Sequence, residues 1–146
     1  MNGERREAFS VAINYSESLR QMIEAGSYDE VSKDISPRNF YLQSVGHRTV
    51  ELTLIQFGGA MSPLEMIERM KEQGFRPATI EELLAIGREE PDLQRIIPIV
   101  ALGSSRRVKD ARWFPCLGGN QAKRMLSLTI VYRRWSIYHR FAFVWE

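Results

Sequence analysis

Cysteine and histidine are scarce in this chain of 146 residues. Cys116 is the single cysteine, so an internal disulfide is impossible and the composition suits a reducing compartment. The two histidines, His47 and His139, lie at no metal-ligand spacing from Cys116 or from an acidic pair. The sequence therefore predicts no metal site.

Long apolar runs are also missing. No segment approaches the length needed to cross a bilayer, and the charged stretch NGERREAF after Met1 lacks the apolar core of a signal peptide. We therefore expect a cytoplasmic protein that does not contact a membrane.

The sequence contains none of the common enzyme motifs that hold phosphate or a nucleophile. It has no P-loop, no G-x-G-x-x-G and no G-x-S-x-G. No base stands near Cys116 in the sequence, which favours burial over a role as nucleophile. The acid pair Glu81–Glu82 fits the first turn of a helix, where negative charge is favourable. We expect no enzymatic activity and no cofactor.

Charge is unevenly distributed along the chain. Residues 104–146 contain nine Lys or Arg against Asp110 and Glu146, which gives this segment a formal charge of +7 and the rest of the chain −5. A solvated positive face is the simpler interpretation, and a nucleic-acid footprint is the alternative.

The first 40 residues have a helical pattern. Apolar side chains in residues 5–25 recur at spacings of three and four, which predicts an amphipathic helix that stops at Gly26. We therefore expect residues 1–40 to form a helical N-terminal extension.

The central part predicts a strand followed by two helices. RTVELTLIQF (48–57) alternates as a half-buried strand does. Ser62 with Glu65 and Thr79 with Glu82 then form two capping boxes, and a glycine follows each predicted helix.

The remaining segments predict strands. The apolar run IIPIVALGS predicts a buried strand, and ARWFPCLGG a short one. Residues 126–132 and 138–145 are predicted as the last two strands, joined through RRWS. This order indicates the α+β class.

Aromatic residues crowd the basic third of the chain. Phe141, Phe143 and Trp145 alternate, which favours core packing. Tyr132, Trp135 and Tyr138 flank RRWS, where partial exposure is expected. Exposed aromatic and arginine side chains are typical of protein-binding hot spots and of platforms that stack single-stranded nucleic acid. The residue types alone do not separate these two functions.

Two segments of the chain resemble a known family. RPATIEELLAIG…PDLQRIIPIVALGS (76–104), preceded by ELTLIQF and followed by RFAFVWE, is similar to prokaryotic proteins that resemble the variable proteins of diversity-generating retroelements. The resemblance covers about residues 40–146. It implies a C-type-lectin-like fold over 41–146, in which the first strand pairs with the last, two helices follow, and a small antiparallel sheet presents a ligand.

The retroelement mechanism implied by this resemblance restricts the amino-acid types expected in the variable region. Such systems rewrite template adenines, typically in AAC codons, and a varied AAC codon cannot encode Trp, Met, Lys, Glu or Gln. These five types make up 33 of the 146 residues, yet only Trp135 represents them in residues 127–144. Because strands also disfavour Lys and Glu, residues 127–139 taken alone favour an ordinary antiparallel hairpin with mixed surface residues, and the upstream resemblance is what favours the retroelement.

The chain departs from the wider lectin-like families in two ways. It has no lectin disulfide and no Glu-Pro-Asn or Trp-Asn-Asp calcium signature, so calcium-dependent sugar binding is not expected. A formylglycine-generating type of enzyme shares the implied fold, but this chain has no partner for Cys116.

The resemblance implies a non-enzymatic binding protein with a diversified surface near its C-terminal end. The expected ligand is a protein, with nucleic acid as the alternative, and the oligomeric state stays open. The predicted variable contacts are Ser127, Thr129, Val131, Arg133, Arg134, Ser136, Ile137, Tyr138 and His139, with Tyr132, Trp135 and Arg112 as additional contacts.

Overall fold

A mixed β-sheet runs through the molecule and has helices on both faces. The computed structural model describes residues 3–42 and 44–146; Met1, Asn2 and Gln43, which the predicted domain limits include, lie outside the described residues. The strands are β1 (Arg5–Asn14), β2 (Glu30–Val31), β3 (His47–Gln56), β4 (Phe75–Pro77), β5 (Ile99–Ala101), β6 (Arg106–Val108), β7 (Ala111–Gly119), β8 (Arg124–Thr129) and β9 (Arg140–Trp145). The α-helices are α1 (Leu19–Gly26), α2 (Pro63–Glu72) and α3 (Ile80–Glu89), and two 3₁₀ helices span Leu93–Arg95 and Arg133–Tyr138.

The sheet is larger than predicted. Within the described residues it has nine strands in the order β1-β3-β9-β5-β7-β8-β2, with β4 beside β9 and β6 beside β7. Most neighbours are antiparallel, but β5 with β9 and β2 with β8 are parallel. The α+β class is confirmed, whereas the prediction of a small antiparallel sheet is wrong. The strand predicted at 48–57 does pair with the last strand, antiparallel, from Leu52↔Val144 to Ile55↔Phe141.

Two hydrophobic cores lie on opposite faces of this sheet. Leu52 and Leu54 of β3 point to the face covered by α1 and α3, while Ile55 points to the face covered by α2. Strand β9 divides in the same way, because successive side chains of a strand alternate between faces. Phe141 and Phe143 therefore pack on the α2 side, and both are fully buried.

The prediction of a helix over residues 5–25 is wrong for its first half. Residues 5–14 form β1, which pairs with β3 over ten consecutive residues, and α1 begins only at Leu19. The apolar positions of this segment fit the repeat of a helix and that of a strand. The strand forms because pairing with β3 buries the side chains of Val11 and Ile13. The first 40 residues are therefore not a helical extension: β1 extends the main sheet, and α1 contributes to the main core.

The predicted capping box of α2 is complete, and that of α3 has one of its two hydrogen bonds. Glu65 N–H donates to Ser62 Oγ at 3.2 Å, and Ser62 N–H donates to Glu65 Oε1 at 3.0 Å. At α3, Thr79 N–H donates to Glu82 Oε1 at 2.8 Å. These bonds satisfy N–H groups that the first helical turn leaves free.

The last two strands are not neighbours. Strand β8 pairs with β7, β9 pairs with β3 and β5, and so β5 and β7 lie between them. The connection from β8 to β9 crosses the sheet through the 3₁₀ helix Arg133–Tyr138. The alternative of an ordinary antiparallel hairpin over residues 127–139 is therefore wrong, and the predicted recognition surface lies on a crossover connection.

Candidate ligand-binding surface

The 3₁₀ helix between β8 and β9 exposes a group of aromatic and arginine side chains. Tyr132 and Trp135 are each 50% exposed and Tyr138 59%. The guanidinium carbon of Arg134 lies 5.5 Å from the Tyr132 ring centre and 5.7 Å from that of Trp135. The Trp135 and Tyr138 ring centres are 5.9 Å apart. These four residues form the aromatic–arginine cluster, in which Arg134 is within range of cation–π attraction.

Buried polar contacts hold this helix against the loop between β3 and α2. Ser136 is fully buried; its Oγ accepts from Met61 N–H at 3.0 Å and donates to the Arg133 carbonyl at 2.8 Å. Gln56 Nε2 donates to the Ile137 carbonyl at 3.1 Å. The prediction of Ser136 as a ligand contact is therefore wrong, because its side chain is an anchor beneath the cluster.

An apolar groove adjoins the cluster on the α2 face of the sheet. The groove has a volume of about 680 Å³ and lies between the start of α2, the first half of β7 and the segment that follows β8. Its walls include Leu64, Ile67, Arg112, Phe114, Val131 and Tyr132. Leu64 is 65% exposed, so its apolar side chain is open to solvent at the groove. Three predicted residues, Arg112, Val131 and Tyr132, therefore meet in what we call the α2–β7 groove.

The other predicted contacts lie around these two features or away from them. Ser127 and Thr129 pair with Cys116 and Phe114 on β7, so they share the α2 face and are partly buried. His139 is partly buried, with Nδ1 3.2 Å from the Trp135 carbonyl.

Ile137 does not join the groove. It lines a separate cleft with Arg5, Gln56 and Ile97, and this cleft shares no lining residue with the groove. The structure therefore brings together most, but not all, of the predicted set.

An ion pair joins the 3₁₀ helix Arg133–Tyr138 to α2. Arg133 Nε donates to Glu65 Oε1 at 3.0 Å. The pKa of Glu65 is lowered to about 2, mainly by this hydrogen bond and further by those from Ser62. The pair therefore stays ionised at neutral pH and fixes where the Arg133 guanidinium lies.

Less of the positive charge of residues 104–146 is free to contact a ligand than the sequence suggests. Arg124 is buried and bonded to carbonyl groups. The following basic residues form ion pairs with acids: Arg106 with Asp34, Lys123 with Glu30, Arg133 with Glu65 and Arg140 with Glu7. Arg107, Lys109, Arg112 and Arg134 are exposed and have no ion pair within the described residues.

Two buried side chains with perturbed acidity, Cys116 and Glu82, are not among the residues that line the groove. Cys116 is buried, and burial raises the pKa of its thiol to about 12. In the described part of the chain, no three His, Cys, Asp or Glu side chains are grouped so that they could hold a metal ion. The carboxylate of the buried Glu82 accepts four hydrogen bonds, two from Arg76, one from Tyr15 and one from the Thr79 N–H.

The α2 wall of the groove was missed by reasoning from the sequence. Leu64 lies off the stripe of Met66 and Met70 that packs into the core. An apolar residue outside the buried stripe of a helix is the available signal for such a wall, and at a single residue it is weak.

No family model, curated protein or solved structure matches this chain. Among the described residues, no helix combines the length and the apolarity that a membrane crossing requires.

Proposed function

We propose that this chain is a non-enzymatic ligand-binding protein whose recognition surface is the aromatic–arginine cluster with the α2–β7 groove. The main support is that three large aromatic side chains, each half or more exposed, stand together on a helix whose underside is fixed by Ser136. Exposed aromatic and arginine side chains on a rigid support are typical of the residues that dominate binding energy.

A protein is the ligand class that fits this surface. Tyr and Trp have two side-chain torsions, so they lose little entropy when a partner immobilises them. The groove accepts an apolar side chain beside them. Arg112 supplies hydrogen-bond donors in its lining, and Arg134 supplies more from its place against the Tyr132 ring.

We further propose a C-type-lectin-like fold and a diversity-generating retroelement as the source of the surface. Two features support the fold: β3 pairs with β9, and α2 and α3 follow β3 in the chain. The exposure of Arg133, Arg134 and Tyr138 supports an origin by retroelement diversification, because substitution of exposed side chains has little effect on stability.

A displayed library tests the binding function. Randomising Tyr132, Arg134, Trp135 and Tyr138 together is expected to leave most clones folded and to yield binders against a panel of protein antigens. A matched library at Ser136, Phe141 and Phe143, which are all buried, is expected to lose protease resistance. Equal loss of folding in both libraries, or no binder from the first, would overturn the proposal.

The gene neighbourhood tests the retroelement separately. A reverse transcriptase beside a near-copy of the 3′ end, differing only at adenines, is the expected arrangement. If the codons of Arg133, Tyr138 and His139 did not mostly end in C, the retroelement would be rejected while the binding function stood.

Nucleic-acid binding is the second candidate, favoured by two exposed basic residues that have no ion pair in the part of the chain that the structure describes. Arg134 lies against the rings of Tyr132 and Trp135, and Arg112 lines the groove together with Tyr132. It predicts that affinity for a single-stranded oligonucleotide falls steeply between 50 mM and 200 mM salt, by about tenfold or more for a few neutralised phosphates. Binding that is absent or insensitive to salt would exclude it.

A further inference from the structure

The outer edge of β1 ends the sheet with a long row of unpaired backbone groups. β1 has ten residues and lies at one end of the sheet, with β3 as its neighbour on the inner side. Among the described residues no other strand pairs with it. The opposite end of the sheet is β2, which has only two residues. The free edge of β1 is therefore the longer of the two ends.

The hydrogen-bonding pattern shows which groups face outward. Tyr15 N–H donates to the Gly46 carbonyl at 2.7 Å, and Tyr15 continues the odd-numbered positions of β1. In an antiparallel ladder the hydrogen-bonded pairs recur at every second residue. The N–H and C=O groups of odd residues therefore face β3, and those of Arg6, Ala8, Ser10 and Ala12 face outward.

The edge has few of the features that normally prevent edge-to-edge pairing. Natural sheets protect a free edge with Pro, charged side chains and especially Lys, a β-bulge or a covering element. The charges of β1 are confined to its first three residues, Arg5, Arg6 and Glu7. RREAFSVAIN contains neither Pro nor Lys, and its ten consecutive pairs with β3 leave no bulge. The side chains of the four outward-facing residues are all exposed, so nothing covers them.

The strand is complementary to itself. A two-fold axis through Phe9 pairs Arg6 with Ala12 of a second copy and Ala8 with Ser10, so every outward-facing residue meets another. Glu7 then stands opposite Val11, and no like charges oppose each other. A shift that centres the axis on Arg6 would place Arg6 against Arg6, which is unfavourable.

We propose that β1 is a homodimer interface, in which the β1 strands of two copies pair antiparallel across a two-fold axis perpendicular to the sheet. Such an axis preserves the faces of the sheet, so both α2 faces lie on the same side of the joined sheet. Two aromatic–arginine clusters then point in one direction, an arrangement that permits bivalent attachment. The dimer does not depend on the proposed function, because it uses none of the groove or cluster residues.

Sedimentation equilibrium of the full chain tests the dimer. The average mass of the wild type is expected to rise with protein concentration from the mass of one chain to that of two. Ala12→Lys places a cation opposite Arg6 of the second copy, and the two-fold axis repeats this contact. The repulsion is expected to weaken the dimer about tenfold. Thr49→Lys is the matched control, since Thr49 pairs with Ala12 from the inner strand and is also exposed.

Amide hydrogen exchange supplies a test without substitution. In the dimer the amides of Ala8, Ser10 and Ala12 are expected to become protected as concentration rises, whereas those of Phe9 and Val11 are protected throughout. A monomer mass at every concentration, unchanged exchange at Ala8 and Ser10, or equal weakening by both lysine variants would each overturn the interface.

Discussion

Glu82 shows how a buried charge is tolerated in this protein. Its side chain is 1% exposed and accepts from Arg76 Nη1 at 2.8 Å, Arg76 Nη2 at 2.6 Å and Tyr15 Oη at 2.6 Å. Burial alone raises the pKa of Glu82, but the hydrogen bonds from Arg76 and Tyr15 outweigh it and the pKa is lowered. Its contribution to stability is therefore present above the ordinary glutamate pKa and is lost as pH falls through the lowered value.

Arg76→Met is expected to destabilise the protein by about 3 kcal/mol at neutral pH, because it leaves the Glu82 carboxylate buried without its ion-pair partner. Urea unfolding measures the change. Arg133→Met is the matched control, since it breaks an arginine–glutamate pair that is solvent-exposed, and little change is expected there. Similar losses from the two variants would contradict this account.

Glu81 is the neighbouring case in which burial prevails. It is 6% exposed, and burial raises the pKa of its carboxyl above the ordinary value. Below the ordinary pKa the carboxyl is neutral in folded and unfolded chains alike. As pH rises through the raised pKa, the folded state must bury a charge and loses stability.

Glu81→Gln is therefore expected to raise the free energy of unfolding by about 1 kcal/mol at neutral pH and to leave it nearly unchanged in acid. Urea unfolding over a pH series measures the difference. Glu89→Gln, at an exposed position in the same helix, is the control. A gain for Glu81→Gln that does not depend on pH would contradict the assignment to burial of charge.

At the scale of elements, the sequence predicted what local chemistry determines. Ser62 and Thr79 marked the starts of α2 and α3, because a cap and its third residue interact within one turn. Residues 5–14 were predicted wrongly, since their apolar spacing fits a helix as well as a strand, and pairing with β3 decides between them. The separation of β8 from β9 was missed because alternation does not reveal which strands are neighbours.

The site was predicted in part for the same reason. Tyr132, Trp135 and Tyr138 were expected at the surface because they flank a polar connection, and all three are exposed. Ser136, in the same connection, is buried by a contact with Met61, which lies 75 residues earlier in the chain. Such a contact leaves no local trace in sequence, because a small hydroxyl residue occurs equally well at a surface.

Ser136→Ala is expected to destabilise the protein by about 1–2 kcal/mol, because Met61 N–H loses its acceptor in a buried place. Urea unfolding measures the loss, and faster exchange of the Met61 amide locates it. Ser127→Ala is the matched control, because Ser127 is partly buried and has no side-chain hydrogen bond among those found in the described residues. An unaltered Met61 amide would contradict the anchoring role.

At the scale of the whole molecule, Arg124 joins elements that are distant in sequence. Its guanidinium donates to the carbonyls of Gly26 at the end of α1, Gly87 in the last turn of α3 (2.8 Å) and Pro91 (2.8 Å). It also lies 4.7 Å from the Tyr28 ring centre. A cation is favoured at helix C-terminal ends, where carbonyls lack partners. A residue that counts toward the basic region in sequence is thus an internal tie between β8 and two helices.

Arg124→Met is therefore expected to cost about 3 kcal/mol or more, because several buried carbonyls lose their donor at once. Arg124→Lys is expected to recover only part of the loss, since a single ammonium cannot reproduce the planar fork that reaches separate carbonyls. Arg107→Met removes an exposed arginine from the same basic region and is expected to change stability little. Urea unfolding of the three variants orders them, and hydrogen exchange shows whether α1 and α3 open together when Arg124 is lost. Full rescue by Lys would mean that charge alone matters at this position, and the geometric tie between the helices and β8 would then be wrong.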